Sequence, residues 1–367
     1  MTNNYDRLNK ESWDTIVIGG GQAGLAAGYY LSQLNEDFLI LDANENTGDS
    51  WRNRWESLRL FTPAWINGLP GMSFPGAREH FATKDEVADF LADYKEKFNL
   101  PVMYNAAVSG VHRSGAGYQV SVGEQIFYAN SVIIATGNYN IPKIPTFAGK
   151  LNPVINQLHS SQYVSPPNLP DGDVLVVGAG TSGLQIAMDL LNSNRSVSVS
   201  GTPPFRIPDF IFKYFAKQFV WFTTHILNTS TPMGRKAQLK IKAGGGAPLI
   251  NISLDEVKKA GAKYTPRITN VSEGWPVTET EEKIKATNII WATGFNPDYS
   301  WVNLPGITDP RGYPITTRGI STIYKGLYFV GSMFQYGLTS TWLGGVGRDA
   351  EYVCHHVHEF NKEKTES

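Results

Sequence analysis

One strand that has to end in glycines constrains this chain more than any other feature. Residues 14–18, Asp-Thr-Ile-Val-Ile, form a short apolar and β-branched run, and Gly19, Gly21 and Gly24 follow it in the spacing G-x-G-x-x-G. In that spacing the first glycine makes a tight turn, the second lets backbone approach a pyrophosphate, and the third lets a helix pack closely on the strand. Gln22 and Ala23 then fall in the first helical turn, whose N–H groups carry roughly half a positive charge toward a phosphate. The helix reads from about Gln22 to Leu34, with Leu25, Tyr29 and Leu31 apolar and Asn35 as its stop. A second strand over 38–41 ends in Asp42, whose carboxylate accepts hydrogen bonds from a ribose diol and repels a 2′-phosphate. Strand, glycines, helix and acid in that order specify a dinucleotide-binding βαβ unit.

The same device recurs about 160 residues later. Residues 174–177 are a second apolar strand, followed by Gly178, Gly180, Thr181, Ser182 and Gly183 and a helical run over 184–191. One such unit holds one dinucleotide, so two predict two cofactors face to face, as in flavoproteins that take hydride from a nicotinamide; a duplicated unit with one dead site is the alternative. The expected fold is α/β, with two Rossmann-like dinucleotide-binding domains and the NAD(P) domain inserted into the FAD domain. The expected division is 1–145 for the first part of the FAD domain, 146–288 for the NAD(P)H domain with a helical insertion near 205–260, and 289–367 for the return. The second strand of the second unit, 196–200, ends without an acid or a base: Ser200, Gly201 and Thr202 follow one another, and Arg206 is the nearest charge. That end predicts acceptance of both NADH and NADPH with modest discrimination.

Length and charge exclude several classes. At 367 residues neither of two domains is short of core, and an apolar content of 41% with 57 Gly plus Pro suits a loop-rich globular enzyme. A formal net charge of −1 without long runs of either sign gives no electrostatic footprint for nucleic acid. The polar start Met-Thr-Asn-Asn-Tyr reads as no signal peptide, and no stretch reaches the ~18 apolar residues of a membrane span, so the expected location is the cytoplasm. Cys354 is the one cysteine, which leaves no internal disulfide or redox dithiol and reads as a small buried hydrophobe. No metal site is read from the sequence.

Along the chain, 44–55 reads as polar and irregular, wrapping the adenosine side of a dinucleotide and running toward its redox end. Trp51, Arg52, Arg54 and Trp55 there can stack on or pair with cofactor and substrate, or pack as ordinary surface. Residues 58–63 alternate as a short strand or edge. Thr83 to Glu86 is a capping box opening an amphipathic scaffold helix through about Phe98. Alternating strands broken at Gly115 and Gly123 follow, with Val108 at a position that can offer backbone to an adenine or simply be sheet core. Apolar strands then end in Ala135-Thr136-Gly137 and in Ala292-Thr293-Gly294, whose small residues admit a close neighbour and mark two crossings between domains. The proline-rich stretch from the first crossing to the second unit reads as a linker, hinged near 137–145. The aromatic run 210–222 competes among core packing, a tunnel or subunit wall, and a membrane-surface helix, in that order, because Lys213 and Lys217 alone attract anionic lipid weakly. Lys242 and the glycines after it read as a flexible break over the nicotinamide. Near the end, a strand finishes at Gly331, and Leu338, Thr339 and Ser340 are expected to start a helix facing the flavin pyrimidine.

Together, the paired glycine motifs, the two Ala-Thr-Gly segments, Gly48-Asp-Ser-Trp51 and His159-Ser-Ser-Gln-Tyr163 resemble the bacterial flavin-containing monooxygenases of class B, over essentially the whole chain. In that family's fingerprint, F-x-G-x-x-x-H-x-x-x-[YF], His159 and Tyr163 match, while Pro153 and Ile155 stand where the aromatic and the glycine belong. The resemblance implies that NADPH or NADH reduces FAD, that reduced flavin binds O₂ as a hydroperoxide, and that this oxygenates sulfur or nitrogen or inserts oxygen beside a ketone. It implies a small-molecule substrate and O₂ as partners, with a homodimer left open. Because the flavin carries the chemistry, no triad is expected. Asn67 is the nearest candidate for an asparagine beside the flavin, and His159 is either a general base or a loop histidine ordering the linker. Two rival readings are an NAD(P)H oxidase or reductase that releases hydrogen peroxide and a non-catalytic FAD-binding sensor.

Overall fold

The computed structural model describes residues 10–366, so the N-terminal segment read above for targeting lies outside the described residues. Strands Ser12–Ile18 and Phe38–Leu41 form with Gln22–Gln33 as the helix between them. The second strand is wholly apolar and the first ends in Ile-Val-Ile, and Asn35, in the left-handed conformation at φ 56°, stops the helix where a side-chain amide tolerates it. The first sheet has nine strands. Its parallel part runs Leu327–Phe329, Gln125–Ile134, Ser12–Ile18, Phe38–Leu41, Val102–Met103, and Val108–Ser114 with Gly117–Val122 forms an antiparallel arm on Gln125–Ile134. The second sheet is wholly parallel, in the order Lys263–Thr265, Val197–Ser200, Val174–Val177, Asn288–Trp291, Asn156–His159. In both, the glycine strand is central, with the strand that follows its helix on one side and the Ala-Thr-Gly strand on the other.

That order explains the glycines. A Cβ on Gly19, which sits at φ 106°, would lie 2.7 Å from the Ala135 carbonyl oxygen, and one on Gly178, at φ 120°, 2.3 Å from that of Ala292. The third glycines repeat the theme: a Cβ on Gly24 would lie 1.8 Å from Gly19 O, and on Gly183 1.9 Å from Gly178 O. Each helix is thus seated on its own turn by contacts that leave no room for a side chain.

Parallel strands are buried on both faces, and the first sheet carries a core on each. Val17 and Ile133 face the helices Gln22–Gln33 and Val346–Glu366, while Ile16, Ile18, Val132 and Ile134 face Val111, Val120 and Val302. The C-terminal helix is pinned through a buried polar knot. Asn361 donates to Thr15 Oγ1 at 3.0 Å and Glu36 Oε2 at 2.7 Å and accepts from Ser131 Oγ at 2.8 Å. The connections between the sheets run side by side, Ile141–Pro142 pairing antiparallel with Phe295–Asn296.

Several expectations are corrected. Residues 49–52 form one helical turn, because Gly48 takes φ 95° and Asp49 accepts the Asn46 N–H at 2.9 Å. Residues 58–63 make a single bridge, Arg59 to Thr83, and no strand. The stretch read as a linker contributes the edge strand Asn156–His159 and a 3-10 turn at Pro166–Asn168. The segment Ile241–Gly245 continues helix Pro232–Lys240 as a π-turn, and Lys242 lies half-buried over the Tyr313 ring, 5.0 Å from its centroid, in place of an open break. The aromatic run forms helix Asp209–His225, kinked at Phe215, with Phe210, Trp221 and Phe222 exposed, so core packing is not its principal environment; the Lys213 side chain lies outside the described residues.

Gly24→Ala and Gly183→Ala are each expected to destabilise the protein by about 2–3 kcal/mol through overpacking. Gly149→Ala, whose Cβ would meet nothing within 4 Å, should be near neutral. Urea unfolding of the three variants checks this.

Candidate functional site

The first cleft is assembled from four segments around the glycine turn. Gly21 is open above its Cα, with nothing within 4 Å of a Cβ, and begins the helix that Gln22 and Ala23 continue. Gln22 donates to Thr341 O at 3.0 Å, tying this helix to the turn Leu338–Thr341. Ala23 packs against Gly331, whose own Cβ would come within 2.8 Å of it. Asn138, buried just after the first Ala-Thr-Gly, donates to Gly331 O at 2.8 Å and accepts from Met333 N at 2.9 Å, so the crossing and the return strand are clamped together. Asp42 is buried at the end of Phe38–Leu41. Its Oδ1 accepts from Asn44 N and Nδ2, and a Cβ on Gly20 would strike Oδ2 at 2.3 Å, so the carboxylate leans over the turn.

Two observations test whether a dinucleotide fits here. The Thr136 hydroxyl is buried with no hydrogen-bond partner, directly after the carbonyl that Gly19 touches, and Gly137, at φ 75°, is open above its Cα like Gly21. A buried hydroxyl without a partner costs about 1–3 kcal/mol. A polar ligand lying across Gly21 and Gly137 would supply what is missing, and the residues fit that group.

The second cleft repeats the first with different chemistry. Gly180 is open above its Cα and precedes helix Thr181–Asn192, with Ser182 and Gly183 in its first turn. Where the first unit has Asp42, the second has Ser200, fully buried, donating to Pro266 O at 2.8 Å and accepting from Ile268 N at 3.2 Å. Its hydroxyl is committed to the chain, which corrects the expectation that it is free for a ribose or phosphate. Gly201, at φ 115°, and exposed Thr202 continue the rim. Arg206 pairs with Glu256 at 3.0 Å, so its charge is already answered.

Between the clefts lies a cationic and aromatic junction. Trp51 is half-buried against the cores of both sheets, while Trp55 is buried in the second with its indole N–H unpartnered. The Arg54 guanidinium sits over the Tyr139 and Phe295 rings, 5.8 and 6.0 Å from their centroids, and burial lowers its pKa. Among the described residues it has no carboxylate within ion-pairing distance. His159 packs edge-on against Phe295 at 4.7 Å.

His159 ends an edge strand and is no loop residue. Its Nδ1 accepts from Ser161 N at 3.2 Å and contacts Ser161 Oγ at 2.9 Å, which leaves the proton on Nε2 to be donated to Gly294 O at 2.9 Å. Nε2 serves the second crossing and Nδ1 the turn at Ser161, and neither remains for a substrate proton. The Thr293 hydroxyl donates to Lys143 O, tying the second crossing to the first. Asn67 is likewise turned inward, donating to Thr62 O at 2.9 Å and accepting from Thr62 Oγ1 at 2.6 Å. Val108 lies in the antiparallel arm opposite Val122; the backbone that meets Asp42 belongs to Ala106, donating to Asp42 O at 2.8 Å, after a left-handed Asn105. Leu338 N–H donates to Leu227 O, Thr339 is buried, and Ser340 Oγ accepts from Gly337 N at 3.0 Å. These three form a short 3-10 turn, and the last helix starts only at Val346, behind two glycines packed on Ile66 and Thr339. Asn138 escapes the sequence reading, its nearness to Ala-Thr-Gly being the one signal for it, whereas Arg54 and Thr136 stand among the residues that reading names.

A family model described as pyridine nucleotide-disulphide oxidoreductase matches residues 16–205, from the first glycine strand past the second. The chain belongs to that family. It is 38% identical to the CzcO-like oxidoreductase of Geobacillus kaustophilus over 94% of this chain and 98% of that one. Its fold matches a double mutant of the flavin monooxygenase of Stenotrophomonas maltophilia at 25% identity and a TM-score of 0.78, over 96% of this chain and 99% of that one. OTEMO, solved in complex with FAD and NADP, matches in fold at 14% identity and a TM-score of 0.68, over 96% of this chain and 86% of that one. The fold is therefore that of the two-dinucleotide-binding-domain flavin monooxygenases, and the chain is a pyridine-nucleotide-dependent oxidoreductase.

The disulphide chemistry in the family's description has no counterpart in this chain's cysteine. Cys354 is fully buried, its Sγ 3.4 Å from Ala27 O, and burial pushes its thiol pKa well up. Among the described residues no cluster of His, Cys, Asp or Glu could hold a metal ion, and no helix is long and apolar enough to cross a membrane.

Burial holds the His159 pKa below its ordinary value; the hydrogen bond to Gly294 opposes this and the Arg54 charge adds to it. As pH falls below about 6.5 the unfolded chain takes the proton first, so the stability His159 contributes is full above that pH and declines toward its lowered pKa. His159→Asn is expected to cost about 1–3 kcal/mol at neutral pH and to flatten the loss of stability as pH falls below about 6.5. Urea unfolding across that range checks both.

Proposed function

We propose that the chain is an FAD-dependent monooxygenase that uses NADPH or NADH and O₂ to oxygenate small organic substrates at sulfur or nitrogen, or beside a ketone. The observation that carries the reading is the pair of matching clefts with unlike rims, an acid at the first and none at the second, joined by two crossings that run side by side. On this reading 1–145 and 289–367 hold FAD, and 146–288 hold the nicotinamide cofactor.

Gly19, Gly21, Gln22, Ala23 and Gly24 would receive the FAD pyrophosphate on their backbone, Asp42 the ribose diol, and the Thr136 hydroxyl and Gly137 the passage toward the flavin. Asn138, Gly331 and the Leu338–Thr341 turn would form the wall around the ring. Gly178, Gly180, Thr181, Ser182 and Gly183 would receive the nicotinamide dinucleotide, with Gly201 and Thr202 at its adenosine end. When bound, the flavin accepts hydride from the nicotinamide and transfers one oxygen atom of O₂ to the substrate. The chain's part is to hold both cofactors across one junction and keep water out of it, with Trp51 walling the junction and Arg54 offering a charge to an anionic group. No side chain need move a substrate proton, consistent with Asn67 and His159 being engaged elsewhere.

Oxidation of a thioether such as methyl phenyl sulfide under ¹⁸O₂ tests the reaction. The expected product is a sulfoxide carrying ¹⁸O, formed in step with NAD(P)H consumption. Hydrogen peroxide equal to the NAD(P)H consumed, with no oxygenated thioether, amine or ketone, would favour the oxidase or reductase reading. Bound flavin that NAD(P)H never bleaches would favour the sensor.

Cofactor choice follows from the rim. With Ser200 turned inward and Arg206 held by Glu256, neither a 2′-phosphate nor a bare hydroxyl is strongly selected. The ratio of kcat/KM for NADPH over NADH is expected within about 10³ in either direction, roughly 4 kcal/mol. Releasing Arg206 by Glu256→Gln should move that ratio toward NADPH by about three- to tenfold, or up to ~1.4 kcal/mol. Steady-state kinetics with both cofactors reads both effects.

A further inference from the structure

The helical insertion after the second unit presents an unusual outer face. Phe210, Phe215 and Trp221 on helix Asp209–His225 are 55%, 50% and 56% exposed, and Leu239 on the following helix Pro232–Lys240 is 60% exposed. Scattered apolar residues on a surface need no explanation, but a run of aromatics along one element does. Phe210, Lys217 and Trp221 recur at i, i+7 and i+11, one side of a helix allowing for its kink. The opposite side is occupied: Ile211 and Phe219 pack on Ile207, Ile250 and Trp342. The exposed side is therefore not misplaced core.

Charge says what covers it. Between residues 210 and 254 the sequence holds six Lys or Arg and no Asp or Glu, in a chain whose net charge is −1. Lys213 and Lys217 of the aromatic run are joined by the next helix, where Arg235, Lys236 and Lys240 are exposed. That helix starts tight against the end of the first, since a Cβ on Gly234 would fall 1.8 Å from Asn228 O. A second copy docked about a two-fold axis would bring the same cations against one another. An anionic bilayer meets both properties at once, with aromatic rings at the headgroup level and lysines over the lipid phosphates.

We propose that this face docks the protein on an anionic membrane surface without crossing it. Trp221 stacks on His225 of its own helix, ring centroids 5.1 Å apart, which holds the indole in place before contact. The inner side of the same helix rests on Trp342, one residue after the turn Leu338–Thr341, so docking would set a lipid surface one helix away from the wall of the first cleft. The proposal stands whether or not the oxygenase reading does.

Vesicle sedimentation of the purified full chain with its cofactor tests it. Binding to vesicles of equimolar phosphatidylcholine and phosphatidylglycerol should exceed binding to phosphatidylcholine alone by roughly tenfold or more and fall in high salt. Trp221→Ser with Phe222→Ser, and separately Lys236→Gln with Lys240→Gln, should each weaken it by roughly tenfold, with flavin content and thermal stability unchanged. In the unmodified protein, vesicles should slow hydrogen exchange across 210–225, a readout independent of how the variants fold. Equal binding to both vesicle types would overturn the proposal. So would loss in the lysine variant but not the aromatic one, which marks a purely polyanion-binding surface, or a dimer in solution that Trp221→Ser with Phe222→Ser dissolves.

Discussion

In each half of the molecule the glycine strand can turn into its helix only because the first motif glycine lies directly against a carbonyl of the neighbouring strand, Gly19 on Ala135 and Gly178 on Ala292. That contact links three things usually described apart: the glycine, the left-handed turn it permits, and the alanine that ends the adjacent strand. A larger residue at Ala135 or Ala292 need not clash through its side chain to disturb the turn; displacing the carbonyl would suffice. On the proposed reading the sites for two cofactors depend on this spacing, because the residues that follow, Thr136 with Gly137 and Thr293 with Gly294, are placed by it. At the first crossing the threonine hydroxyl is left without a partner; at the second it is bonded to Lys143 and the glycine carbonyl to His159. The same motif thus opens a cleft in one half and locks a connection in the other.

This difference also shows what was legible in the sequence. The βαβ units, the capping box at Thr83 and Glu86, and the hairpin breaks at Gly115 and Gly123 follow from patterns continuous along the chain, where propensity and periodicity decide the outcome. Ser200 and His159 could not be judged that way. The hydroxyl of Ser200 is engaged by Pro266 and Ile268, and the ring of His159 by Gly294, partners that only the folded chain brings near. Val108 takes the sheet alternative of the two the sequence leaves open, and the deciding geometry is again out of view of a local pattern: a left-handed Asn105 folds residues 105–106 back on Asp42, and the arm begins beyond them. Leu338, Thr339 and Ser340 were read as a helix start because the sequence does not reveal that Gly344 and Gly345 have to pass Ile66 and Thr339 before the last helix can begin.

The return of the chain to the first sheet is more than a closing strand. Asn361, near the end of the last helix, satisfies Thr15, Ser131 and Glu36, and the last of these also pairs with His358. Thr15 and Ser131 are fully buried in the two central strands, and without Asn361 their hydroxyls would be desolvated with nothing to bond. The C-terminal helix is therefore part of the first unit's core, and the insertion between the crossings is an addition to a fold that closes around it.

Asp42 and Ser200 hold equivalent places, each at the end of the strand after a glycine helix, and the chain treats them oppositely. Asp42 keeps a carboxylate oxygen over the glycine turn, while Ser200 is drawn into the Pro266 and Ile268 backbone. A carboxylate at that point repels a 2′-phosphate, and a buried hydroxyl neither repels nor attracts one. On the proposed reading, discrimination between two nicotinamide cofactors falls to groups further out, among them Arg206, which is held by Glu256 across the rim. A half-exposed ion pair of this kind contributes roughly 0–1 kcal/mol, so the rim is set by a weak contact rather than a strong one. On that reading, small changes at Glu256 or Thr202 would shift cofactor use while the glycine turn and the sheet beneath it stay as they are.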